Sequence, residues 1–225
     1  MSFIYEDRPS ESLFVRNIWH TQTEEDGTFL SPADSSWDIM INRVGDSTQV
    51  SLFGPSSRAG DVPYQAGTET IGIQFRLGTY MPRLPTNTIL DLAQLLPQAS
   101  RGSFWFNDRT WEVPNFDNVE VFIEKMVRNR LLAQDNIVDA LLQEQMPDRS
   151  LRSVQRHFQR TTGLTQNYVR QIERAHQAAT LLQQGTSILD AVYALGYADQ
   201  PHLTRSLTRL IGQTPAQIIR QNKPE

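Results

Sequence analysis

The chain has 225 residues, 39% of them hydrophobic, no cysteine and a formal net charge of −4. That length suits one or two domains with ordinary cores. The missing cysteine excludes disulfides and thiol chemistry, and no run of about eighteen apolar residues offers a membrane span. The opening residues, Met1 to Ser12, carry acids and lack an apolar signal core, so a cytoplasmic location is expected.

Residues 1–110 read as β-rich. Trp37–Val44 and Thr48–Gly54 are short apolar runs separated by Gly45-Asp46-Ser47, the spacing of a hairpin. Glu69–Gly78 alternates, with Ile71, Ile73, Phe75 and Leu77 on one face. Thr86–Leu96 has the pattern of a short helix with Thr86 or Asn87 as its cap. Ser103–Asp108 reads as a last strand.

From Asn115 the period changes to that of helices. The first has Val119, Phe122, Ile123, Met126 and Val127 on one face and is expected to open at an Asp117 cap. A second runs over Asp135–Gln145, with Ile137, Val138, Leu141 and Leu142 as its apolar side. A third runs from a Ser150 cap to a Gly163 stop, and a long fourth from a Thr165 cap to Gly185. A short fifth spans Thr186–Gly196. A sixth begins at an Asp199 cap with Pro201 in its first turn, and a last one starts at Thr214-Pro215.

Charge is unevenly placed. Residues 1–110 balance at −5 and residues 111–146 at −4, whereas residues 147–225 carry +5. Nearly all the cations are arginine, whose planar fork suits phosphates and guanine edges.

In the helical half, two pairs of helices each meet at a tight corner, with the long fourth helix between the pairs. In both, the second helix has an apolar inner stripe: Val154 and Phe158 in one, Leu203, Leu207 and Leu210 in the other. This leaves Arg152, Gln155, Arg156 and Gln159 outward in the first, and Gln200, His202, Arg205 and Arg209 in the second. Arginine can bond guanine and glutamine can bond adenine in bidentate fashion, which is what a helix laid in a major groove needs.

The stretch Gly196-Tyr-Ala-Asp-Gln-Pro-His-Leu-Thr-Arg, continuing through Gly212-Gln-Thr-Pro, resembles the end of the DNA-binding domain of AraC/XylS-type transcription regulators. The first unit shares the resemblance through Ser150, Arg152, Val154, Arg156, Phe158 and Gly163, and the connecting helix through Arg174, Ala178, Leu181 and Leu182. The likeness covers about residues 117–221. It implies an α+β chain: a β-rich, cupin-like barrel domain over residues 1–112, then an all-α domain over 113–225. The helical domain would hold two helix-turn-helix units, about 135–160 and 187–211, joined by a long helix. Carried over position by position, the resemblance makes Arg152, Gln155 and Arg156, and Gln200, His202 and Arg205, the base-contacting residues.

The resemblance also implies a double-stranded DNA operator as partner, a small-molecule effector or a dimerising role for the first domain, and RNA polymerase for an activator. It implies no enzyme activity and no cofactor. Coupling between effector and DNA would run through helix 117–130. This chain departs from the family pattern at Pro201, where a polar residue is usual, at Glu144–Ser150, which lacks the usual small residue and Gly, at Ala191-Val192 and at Leu207. In the N-terminal half, Trp19, Ser31–Val44, Val50–Pro55 and Ile71–Gly78 resemble small β-rich sensor domains.

Other chemistry finds little footing. A metal site needs clustered His and carboxylates, and of the four histidines His157, His176 and His202 lie in the helical half, leaving only His20 to the β-rich half. No Gly-x-Ser-x-Gly elbow or phosphate loop is present. The alternative to a regulator is a helical protein–protein interaction module with a non-sensing, dimerising β-rich domain. Trp19, Trp37, Phe53, Phe75, Phe104, Trp105, Phe106 and Trp111 are readable either as core or as the lining of a pocket.

Overall fold

The computed structural model describes residues 3–143, 145 and 150–221. Its strands, in chain order, are β1 (Phe3–Arg8), β2 (Val15–Thr23), β3 (Gly27–Ser31), β4 (Asp38–Val44), β5 (Ser47–Phe53), β6 (Gly60–Tyr64), β7 (Thr68–Phe75) and β8 (Thr79–Tyr80). After them come β9 (Ala93–Leu95), β10 (Gln98–Ser100), β11 (Ser103–Phe106), β12 (Arg109–Glu112) and β13 (Ala133–Gln134). The helices are α1 (Val119–Arg128), α2 (Asn136–Leu142), α3 (Leu151–Thr162), α4 (Gln166–Gln183), α5 (Ile188–Ala194), α6 (Gln200–Leu210) and α7 (Pro215–Gln221).

Six strands form one antiparallel sheet in the order β1-β2-β7-β4-β5-β9. Gly45, with φ 56°, turns β4 back into β5, as the Gly45-Asp46-Ser47 signal requires. The two-residue period then stacks apolar pairs on one face. Ile39 lies opposite Leu52 and Ile73, and Ile41 opposite Val50 and Ile71. Each isoleucine is essentially sealed from solvent, worth roughly 1.5–3 kcal/mol apiece relative to exposure. Trp37 stacks on Phe75 at 3.7 Å. Helix α1 covers this face with Val119, Phe122, Ile123 and Met126, and Phe104 and Trp111 of a three-stranded sheet, β10-β11-β12, complete the cluster. Among the described residues the ladders form this open sheet and three smaller ones; they do not close into a barrel.

Two local expectations are corrected. Residues 86–96 are not a helix: a single 3-10 turn over Thr86–Thr88 is followed by β9. Asp91 takes a left-handed φ of 56° and its carboxylate receives the Ser57 amide and hydroxyl. The next residues then pair with the open edge of β5. Leu92 and Leu95 stay exposed. Asp117 does not cap α1. Asn118 holds that position, and its side chain and that of Asn115 accept each other's backbone amides at 2.8 and 2.9 Å.

The second cluster contains the apolar faces of α2 to α7, but Ala33, Leu77 and Leu90 of the β-rich half pack in it too. The two halves are also joined by main-chain bonds. The Ala33 amide donates to the Leu210 carbonyl at 2.7 Å and the Ala59 amide to the Arg209 carbonyl at 3.0 Å. The Tyr168 hydroxyl donates to the Ser57 carbonyl at 2.5 Å, and His176 Nε2 to the Ala33 carbonyl at 2.8 Å. No helix among the described residues is long and apolar enough to cross a membrane.

Candidate nucleic-acid interface

The helices that hold the candidate residues start where local chemistry dictates. The Ser150 hydroxyl accepts the Ser153 amide and opens α3; Gly163, at φ 80°, closes it. Thr165 caps α4 through the Tyr168 amide, and Ser187 caps α5 through Asp190. Asp199 caps α6 by accepting the His202 amide at 2.7 Å, with Pro201 in the first turn. Thr214 and Gln217 accept each other's amides at the head of α7, a reciprocal capping box.

In α3, Val154 and Phe158 face inward as expected. Arg152, Gln155 and Arg156 are exposed. Arg160 continues the row one turn on, so three guanidiniums at a spacing of four residues form a stripe along one side of the helix. The sequence carried this signal in its spacing, yet Arg160 was not among the expected contacts. In α6, Leu203, Leu207 and Leu210 face inward, while Gln200 and Arg205 are exposed. None of Arg152, Arg156, Arg160, Arg205 or Arg209 has an ion-pair partner among the described residues.

His202 is placed differently from the other five. Its ring stands edge-on to Tyr197 at 5.2 Å and its Nδ1 accepts the Ala198 amide, so part of the imidazole is committed to the corner before α6. Arg209 also has structural work: its guanidinium lies over the Tyr168 ring at 5.4 Å, on the side of α6 joined to the β-rich half.

Helix α4 packs against both α3 and α6, so the six residues form two groups on two helices that share it as a neighbour. Two anchors position these groups, and neither was read from the sequence. Asp135, buried at 5% exposure, uses Oδ1 to cap α2 through the Ile137 and Val138 amides. Its Oδ2 accepts the Thr161 hydroxyl at 2.7 Å and lies 2.5 Å from His157 Nε2. One carboxylate therefore ties α2 to α3. For the second group, Arg174 of α4 lies over the Tyr197 ring at 4.3 Å, tying the connecting helix to the turn before α6. That turn is opened by Gly196, whose φ is 66°. Within α5, Ala191 and Val192 are both buried, so the displaced small residue still lies in the core. The departure at Glu144–Ser150 falls largely on residues 144 and 146–149, which lie outside the described residues.

Beyond this interface, His20 lies between Glu6 at 2.8 Å and Glu69 at 3.1 Å. Each ring nitrogen of His20 is thus taken by a carboxylate, and no group of three or more His, Asp or Glu side chains is arranged to hold a metal ion among the described residues.

Residues 148–221 match a family described as a helix-turn-helix domain. That stretch runs from just before α3 to the end of α7, and includes all six candidate residues and most of the AraC/XylS-like signature. Among curated proteins none matches the chain. Solved structures of ToxT from Vibrio cholerae are similar at low identity. One at 1.65 Å resolution is 9% identical, with a TM-score of 0.43 over 98% of each chain. Another, bound to (E)-4-(8-methylnaphthalen-1-yl)but-3-enoic acid, is 9% identical, with a TM-score of 0.44 over 99% of this chain and 100% of that one.

Proposed function

We propose that the chain is a sequence-specific DNA-binding transcription regulator of the AraC type, reading its operator with α3 and α6. The observation that carries this reading is the set of outward arginines on the two helices, a row of three and a single one, with no ion-pair partner among the described residues. Arg152, Arg156 and Arg160 lie on α3 and Arg205 on α6, each a capped helix with an apolar inner stripe. Such rows can neutralise phosphates and reach base edges in successive major grooves. In this reading Arg152, Gln155, Arg156, Gln200 and Arg205 make the contacts. His202 contributes through the ring edge that Tyr197 leaves open. The β-rich half, residues 1–112, senses a small molecule or dimerises, and the bonds from Ala33 and Ala59 to the end of α6 give it a direct hold on the second reading helix. The protein would act in the cytoplasm, with RNA polymerase as a further partner if it activates.

The test is fluorescence anisotropy on DNA from upstream of the protein's own gene, against a scrambled duplex, over a salt series. Preferential binding whose affinity falls steeply with salt, as counterion release demands, supports the reading. Replacing Arg156 or Arg205 by Ala is expected to cost about 1–3 kcal/mol and relax base preference at one position. Unchanged affinity and preference in both variants would remove their assigned roles. A protein-partner reading is favoured by one feature, the exposed apolar pair Leu189 and Tyr193 on one side of α5. Binding that ignores DNA and salt but is lost on Tyr193→Ala would decide for it.

A further inference from the structure

We infer that the β-rich half carries a site for a small organic anion with a flat apolar body, at the edge of its main core and away from the reading helices. The site is an open cavity of about 770 Å³, formed where the turn after β8, the segment joining β9 to β10, the β11–β12 hairpin and the end of α1 meet. That volume holds a two-ring molecule with room for solvent.

The chemistry of the lining decides the ligand class. Leu96 and Leu131 form a buried apolar floor. Trp105, half exposed, lines the cavity beside them and brings an aromatic ring to it. Around this stand three guanidiniums, Arg83, Arg109 and Arg130, and a single carboxylate, Asp108. Asp108 is already paired with Arg83 at 3.2 Å, and Arg109 donates to the Asn129 side chain. Arg130 has no ion-pair partner among the described residues. It is also held at φ 55°, a backbone conformation that L side chains rarely adopt. The lining thus carries surplus positive charge over an apolar floor beside an aromatic ring. A carboxylate, phosphate or sulfonate head on an aromatic body satisfies all three; a cation does not.

The cavity does not touch α3 or α6, so the inference stands without the regulator reading. Its wall at Asn129–Leu131 runs directly into β13 and Asp135, the residue that ties α2 to α3.

The experiment uses the full chain and no DNA. The probe is 8-anilinonaphthalene-1-sulfonate, a fluorescent aromatic anion, titrated into wild type and into Arg130→Gln, Trp105→Leu and Arg101→Gln. Arg101 is an exposed arginine of the same half that pairs with Asp46 outside the cavity. Far-UV circular dichroism checks that each variant folds. One equivalent of probe is expected to bind, about tenfold more weakly in Arg130→Gln and Trp105→Leu and unchanged in Arg101→Gln. Competition with 1-naphthoate, 1-naphthyl phosphate and the uncharged 1-naphthylmethanol then separates the head groups. Displacement by either anion but not by the alcohol supports the site, and which anion wins names its head. The inference is overturned by equal affinity in all four proteins, by equal displacement by the alcohol, or by no saturable binding.

Discussion

The guanidinium of Arg174 lies 4.3 Å above the ring of Tyr197, and its Nε is buried without a hydrogen-bond partner among the described residues. The ring thus covers a half-buried guanidinium, and it holds the corner from which α6 departs. Tyr197→Leu should destabilise the protein by about 1–3 kcal/mol in urea unfolding. A cycle with Arg174→Met should return a coupling of about 1 kcal/mol or more. Additive effects would mean that the two side chains act independently.

Asp135 caps one helix and holds the next, so its two oxygens can be separated by mutation. Asp135→Ala should lower stability by about 2–4 kcal/mol, losing both the cap and the Thr161 bond. Asp135→Asn keeps an acceptor for the cap and should lose less. A loss of equal size in the two variants would show that charge toward His157, rather than capping, carries the effect.

Asp38 presents a pH-dependent cost. Its Oδ1 is buried without a hydrogen-bond partner among the described residues, and its pKa is raised well above the ordinary carboxylate value by burial and by the Asp34 charge, with Arg16 opposing. A carboxyl whose folded pKa exceeds its unfolded one binds its proton more tightly in the native state. Stability therefore falls as pH rises from the unfolded pKa near 4 through the raised folded value, and stays lower above it. Asp38→Asn, able to donate toward Asp34, should raise Tm at pH 7 by about 2–4 °C for each kcal/mol recovered. That gain should vanish as the pH approaches 4. A Tm gain independent of pH would count against this account.

Gly212 sits at φ 81°, where a built Cβ would come within 2.6 Å of Leu30 across the junction of the two halves. Leu30 can swing aside, but the backbone conformation itself costs a non-glycine residue about 1–2 kcal/mol. Gly212→Ala should lower stability by roughly that amount, read from urea unfolding. Gly60, which has open space around it and an ordinary φ, serves as the control: Gly60→Ala should change little.

The parts of this fold that were legible in the sequence are those fixed by near neighbours. The β4–β5 hairpin follows from its turn and its alternation. The caps Ser150, Thr165 and Asp199 follow from hydroxyl and carboxylate groups that reach amides three residues on. Residues 86–96 could not be read this way, because the edge of β5 that recruits them lies forty residues earlier and outcompetes a weak helical stripe. Strands β1, β2, β3 and β6 were missed for a related reason. Their sequences mix polar and apolar residues freely, and pairing partners rather than propensity define them.

The candidate interface was readable as outward polar positions on α3 and α6, since burial follows the helical period. Its supports were not. Asp135 meets Thr161 across 26 positions, and the cavity draws its arginines from residues 83, 109 and 130. Only the folded chain brings such groups together.

A helix ordinarily leaves its last carbonyls to water or to its own cap. In α6 the carbonyls of Arg209 and Leu210 are instead received by amides from two loops of the β-rich half. The final turn of that helix is thus shared property, completed by backbone amides that every residue except proline carries. Evolution can retune the surfaces of the two halves freely without cutting this seam. Conversely, a helical fragment expressed alone would begin with a frayed end where the intact chain has a finished one.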